Sequence, residues 1–252
     1  EVCASLDRHL DTSLMSVIFA EPNSENADLI DETQYTQPAL FAFEVSLARL
    51  WIKWGAAPER VMGHSIGELS AAYIAGVFSL EDAAKLVCAR GRLMQECPRD
   101  GCMASVGAPE EKLRPILDKV GGNVAIAGLN SPVQTVISGD ADAVRSVMVQ
   151  MENDGIKCKE LTVSHAFHSS HMDSMLEEFR AVAASCQMNP PRIPIVSNVH
   201  GRVATADELS SPNFWADQVR SPVRFVEGMK SLANEGINTF VECGPQGVLC
   251  GL

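Results

Sequence analysis

The chain alternates between helical and strand-like hydrophobic periods, with Gly and Pro punctuating the changes. An apolar helix is predicted from about Pro38 to Trp54, a short strand from Arg60 to Met62 and a helix from Glu68 to Gly76. A further helix runs from Ser79 to about Glu96, with Ser79 and Asp82 spaced for a capping box. Between Cys102 and Val163 the pattern reads strand, helix, strand, strand, helix, strand. That βαββαβ order predicts a four-stranded ferredoxin-like unit covered by two helices. Beyond it come a helix from about Met172 to Cys186, the strand IPIVSN, helices around Phe214 and from Phe225 to Asn234, and a last strand NTFVEC. The fold class is therefore α/β: an α/β-hydrolase-like large subdomain, residues 1–101 and 165–252, with a small ferredoxin-like subdomain inserted at 102–164.

Composition supports a globular chain and removes some functions. The 252 residues are 46% hydrophobic and 21% charged, and 20 Lys+Arg against 32 Asp+Glu give a formal charge of −12. Without a basic cluster there is no counterion-release drive toward nucleic acid. No apolar run reaches the roughly 20 residues that span a bilayer, and the N-terminus lacks a signal-peptide pattern, so a cytoplasmic protein with no membrane partner is expected. The eight cysteines form no CxxC pairs and are expected to be reduced thiols.

The sharpest chemical signal is Gly63-His64-Ser65-Ile66-Gly67, a G-x-S-x-G between a strand and a helix. A tight strand-to-helix turn holds a nucleophilic serine exposed and strained, and the flanking glycines leave room for backbone and substrate. The Ile66 N–H, at a helix N-terminus, suits a developing oxyanion. A base is needed, and either His165 or His168 can supply it. His165, His168 and His171 recur at a spacing of three, but no accompanying carboxylate or cysteine pattern makes a metal site. Arg90 falls in line with Ala83, Leu86, Val87 and Met94 on the apolar stripe of its helix. A buried arginine must be paired, either with an internal carboxylate or with an anionic ligand held by its fork.

Through TQPALFAFE, GHSIGE, CARGRLMQ, SHAFHSSHM, RSPVRF and VECGPQGVL the chain resembles the malonyl-type acyltransferase domains of polyketide synthases, relatives of malonyl-CoA:acyl-carrier-protein transacylases. The resemblance implies that Ser65 takes malonyl from malonyl-CoA and passes it to the phosphopantetheine thiol of an acyl carrier protein, with no bound cofactor. It makes His168 the general base and His165 a pocket residue. A main-chain carbonyl of the Ser221–Arg224 loop, assigned to Arg224, orients the imidazole. Arg90 binds the extender carboxylate, Gln37 and His64 line the pocket, and Ile66 with the bulky Phe167 marks the malonyl-selective subtype. The neighbouring domains of a multidomain synthase are implied partners. Against that family the chain starts after the N-terminal strand and GQG-x-Q motif, which implies an excerpt whose lost oxyanion donor costs about 10²- to 10³-fold in rate. HSSHM stands where HSPLM is commoner. The rival readings are a serine esterase or thioesterase, which needs a carboxylate behind His168 and no Arg90, and a silent architectural domain.

Overall fold

The computed structural model describes residues 1–252. Three short helices, α1 (Val2–Leu6), α2 (Leu14–Ile18) and α3 (Glu25–Asp28), lead into the long α4 (Thr33–Lys53). Strand β1 (Val61–Met62) turns sharply into α5 (Gly67–Ile74), followed by α6 (Leu80–Gln95). The small subdomain runs β2 (Gly101–Val106), α7 (Glu110–Leu117), β3 (Val124–Ser131), β4 (Gln134–Asp140), α8 (Ala141–Asn153), β5 (Cys158–Glu160). The chain returns through α9 (Leu176–Ala184), β6 (Ile195–Val196), α10 (Ala206–Leu209), α11 (Pro212–Arg220) and α12 (Phe225–Asn234).

The small sheet has the order β3-β4-β2-β5 with every neighbour antiparallel, as the βαββαβ pattern predicts. Its own apolar cluster, including Val106, Leu113, Ile137, Val144 and Met151, packs between sheet and helices. A larger cluster holds the rest of the molecule around α4, α6, α9 and α11, with Phe41, Leu86, Met94, Phe179 and Trp215 at its centre. Strand β1 pairs in parallel with β6, Val61 opposite Ile195 and Met62 opposite Val196, and this pair carries the nucleophile turn. No helix is long and apolar enough to cross a membrane.

Several expected elements change. Helix α4 begins at Thr33 rather than Pro38, with Pro38 inside it. Proline fixes a helical φ and removes only one hydrogen bond, while Tyr35 and Thr36 already donate to the Glu32 carbonyl ahead of it. Ser79 caps α6 through the Asp82 N–H at 3.0 Å, but its hydroxyl, not its N–H, returns a bond to the Asp82 carboxylate. The helix expected from Met172 opens as a 3₁₀ turn over Ser170–Met175 before α9. The segment NTFVEC is not a strand: Phe240 and Val241 are exposed, and no ladder partner lies beside them. A strand exists only through its ladder; here Glu242 instead accepts the N–H groups of Val248, Leu249 and Cys250 and folds the segment into a turn.

Candidate active site

The turn between β1 and α5 places Ser65 at φ 54°, a left-handed backbone conformation that costs a non-glycine residue about 1–2 kcal/mol. Gly63 makes the turn possible. A Cβ there would stand 2.0 Å from the Gly67 carbonyl carbon, whereas a Cβ on Gly67 would meet only the Glu44 carboxylate oxygens, at 3.7 and 3.8 Å. Of the two flanking glycines, close approach therefore requires the first alone.

Ser65 Oγ lies 2.8 Å from His168 Nε2. On the far side of the ring His168 Nδ1 lies 2.9 Å from the Ser221 carbonyl oxygen, which can only accept. The proton therefore sits on Nδ1, and the Nε2 lone pair faces the serine hydroxyl. Burial, together with the Arg90 and His64 charges, pulls the His168 pKa down to about 3, so the imidazole is a neutral base across the physiological range.

The orienting carbonyl belongs to Ser221, not to Arg224 as the resemblance implied. Ser221 precedes Pro222 and is held extended at ψ 153°. Val223 is stitched onto the edge of β3, donating to the Ala127 carbonyl and accepting from Leu129 N–H. Arg224 is the N-cap of α12: its carbonyl is used by the Gly228 N–H, and its guanidinium pairs with Glu227 at 2.8 Å. No carboxylate stands behind His168, so the triad that a hydrolase reading needs is missing.

Arg90 is 2% exposed on α6, beside the nucleophile. Its Nη2 donates to Ser65 Oγ at 3.2 Å and its Nη1 to Gln37 Oε1, while Nε has no partner. Gln37 is fixed in turn by donating to Thr33 Oγ1 at 2.7 Å. No acid forms an ion pair with Arg90. Burial lowers its pKa to about 10, with Glu68 opposing the shift, so it stays cationic at neutral pH.

The remaining predicted residues divide. Ile66 buries its side chain in the main core, and its N–H has no acceptor within the protein, at the N-terminal end of α5. His64 Nε2 lies 3.0 Å from Asn130 Oδ1, tying the turn to β3. Phe167 is half-buried between the main core and the small subdomain's Met103, Ala127 and Val136. His165 is fully buried beside Phe167, with Nδ1 on Ser164 Oγ at 2.8 Å, and makes no hydrogen bond to Ser65, Arg90 or His168. Its Nε2 has no partner. His171, from the departing HSSHM motif, bonds Asp140 of the small subdomain at 2.9 Å.

Three residues had escaped the sequence reading: Asn198, Gln218 and, in its role, Glu68, while Ser221 was named only as the first residue of the orienting loop. Asn198, just past β6, bonds the turn on both sides of His64, and Gln218 on α11 donates to the Ser65 carbonyl at 2.7 Å. Glu68 is fully buried, accepts the Asn198 N–H at 3.0 Å, and has its pKa raised to about 7 by burial. The available signal for Asn198 was its place at the carboxyl end of a predicted strand, where α/β sites gather.

A half-buried serine bonded to a buried imidazole, beside an arginine with no ion-pair partner, has the parts for acyl transfer, and the known proteins of this shape agree in class. Residues 2–251 match the model of the family described as acyl transferase domain: the chain belongs to that family. It is 51% identical over 253 residues to polyketide synthase GfsA of Streptomyces halstedii, covering 100% of the chain but 3% of that protein. It is 48% identical over 248 residues to mycoketide-CoA synthase of Mycobacterium tuberculosis, covering 98% of the chain and 6% of the synthase. Among solved structures, the acyltransferase domain from the second module of the salinomycin polyketide synthase superposes with a TM-score of 0.92 at 43% identity, over 99% of this chain and 57% of that one. FabD from Acinetobacter baumannii does so at 0.90 and 34%, over 99% and 80%.

Proposed function

We propose that this acyltransferase domain loads malonyl from malonyl-CoA onto Ser65 and transfers it to the phosphopantetheine thiol of an acyl carrier protein, selecting the extender unit inside a multidomain polyketide or fatty-acid synthase. The observation that carries the reading is Arg90: a buried cation beside the nucleophile, with no protein carboxylate paired to it and one donor unused. A substrate carboxylate completes that site; an acetyl methyl leaves it uncompensated.

In the acylation step His168 Nε2 takes the Ser65 proton while Oγ attacks the thioester carbonyl, with the Ile66 N–H as one oxyanion donor. The carbon–sulfur bond breaks and the CoA thiolate takes the proton from His168. The carrier thiol then gives its proton to His168, attacks the Ser65 ester and leaves with the malonyl group, and Oγ recovers the proton. Phe167 narrows the space for an α-methyl branch, worth about 1–3 kcal/mol of preference over methylmalonyl.

Intact-protein mass after brief incubation with malonyl-, methylmalonyl- and acetyl-CoA tests this. The expected result is a malonyl adduct that Ser65→Ala removes and that an acyl carrier protein discharges. Steady CoA release with no transferable adduct would replace the reading with hydrolysis, and no turnover at all with a silent domain.

A further inference from the structure

The backbone of the nucleophile is held by side chains that come from far along the chain. Asn198 is 1% exposed, and its amide works at both ends: Oδ1 accepts the Ser65 N–H at 2.9 Å and Nδ2 donates to the Gly63 carbonyl at 2.6 Å. The amide thus bridges the two peptides on either side of His64. Its own main chain is immobilised, the N–H by Glu68 Oε1 at 3.0 Å and the carbonyl by the Arg224 N–H at 2.9 Å. From α11, Gln218 holds the Ser65 carbonyl.

The side-chain amide both donates and accepts across this gap; an ionised carboxylate only accepts, and a hydroxyl is shorter. A serine held at positive φ persists where its surroundings over-determine it. With its N–H committed to Asn198, Ser65 has no main-chain donor of its own for the oxyanion, which leaves that task to Ile66.

We infer that Asn198 is a positioning residue for acyl transfer: its side-chain amide fixes the Gly63–Ser65 backbone so that Ser65 Oγ stays between His168 Nε2 and Arg90 Nη2. The inference rests on the acyl-transfer reading of Ser65. Asn198 lies behind the nucleophile, away from solvent, so its loss acts on the rate of acylation and not on substrate affinity. Displacement of a reacting atom by about 1 Å is worth about 10²-fold in rate.

The test uses the intact protein with Asn198→Ala and Asn198→Asp, beside the parent and Ser65→Ala. Single-turnover acylation by malonyl-CoA, labelling by a fluorophosphonate and the thermal midpoint are measured for each. Asn198→Ala is expected to stay folded and to acylate about 10- to 100-fold more slowly at unchanged KM. Asn198→Asp is expected to recover rate relative to the parent as pH falls from 8 to 6, when its protonated carboxyl regains a donor for the Gly63 carbonyl; Glu68, which titrates at about 7 beside Asn198 in both proteins, is removed by taking that ratio. Acylation by Asn198→Ala within about threefold of the parent overturns the inference, as does a loss that only tracks the unfolded fraction. If Asn198→Ala does not fold, an Asn198→Asp profile that runs parallel to the parent's overturns it. Parent labelling that does not depend on Ser65 sinks the acyl-transfer reading and the inference together, whereas Ser65-dependent labelling indifferent to Asn198 sinks the inference alone.

Discussion

Ser65 and His168, 103 positions apart in sequence and 2.8 Å apart at Oγ and Nε2, both adopt the left-handed backbone region, at φ 54° and 57°. Asn23 is the only other non-glycine residue there. Each half of the dyad is thus held at a local cost that its partners offset, and the strain has a measurable consequence.

Replacing Ser65 removes the hydroxyl in either case, but glycine accepts φ 54° and alanine does not. Ser65→Gly is expected to be more stable than Ser65→Ala by about 1 kcal/mol, with both unable to form an acyl-enzyme. Paired thermal melts decide this; equal midpoints would mean that the turn relaxes once the hydroxyl is gone.

The two glycines of the turn make opposite predictions. Gly63→Ala drives a Cβ into the Gly67 and Glu68 backbone, at 2.0 to 2.2 Å, and is expected to abolish acylation and lower the melting point sharply. Gly67→Ala makes only ordinary contacts at the start of α5, and is expected to fold with stability changed by no more than about 1 kcal/mol. Melting and single-turnover acylation of the pair would show the contrast or its absence.

Arg90→Ala is expected to lower malonyl loading by about 10²-fold or more, while acetyl loading falls less or rises. It should also move the pH profile. Burial comes first and the Arg90 charge second among the causes that hold His168 at about 3, and the substitution weakens both. The imidazole pKa therefore rises, and the acid limb of acylation moves up from well below pH 5 toward the usual histidine range. An acid limb unchanged from the parent would show that Arg90 does not act on His168.

Glu44, half-buried behind the turn and donated to by Ser70 Oγ, has its pKa raised from 4.5 to about 7 by desolvation. The folded state binds this proton more tightly than the unfolded chain, so the contribution is complete below pH 4.5 and is lost as pH rises through about 7. Glu44→Gln is expected to gain on the parent by on the order of 1–3 kcal/mol between pH 5 and 8. Denaturant titrations at the two pH values measure it; a pH-independent difference would mean that Glu44 is already ionised at pH 5.

Local sequence revealed the reacting groups because each has a short-range signature. Gly63 and Ser65 sit in a five-residue turn, the small subdomain shows a complete βαββαβ alternation, and Arg90 interrupts an apolar stripe that period alone makes visible. The histidine motif offered two bases, and the family resemblance selected His168.

Tertiary structure decided what those groups are held by. Ser221 rather than Arg224 orients the imidazole because proline and the edge of β3 fix the loop between them, and a carbonyl's direction has no side-chain signature. Asn198 and Gln218 reach the Ser65 backbone from 133 and 153 positions away. The segment NTFVEC has a strand's composition, but a ladder needs a neighbour, which only the folded arrangement supplies or withholds. Side-chain chemistry and periodicity are properties of a few adjacent residues; hydrogen-bond partnership across the fold depends on where distant segments meet.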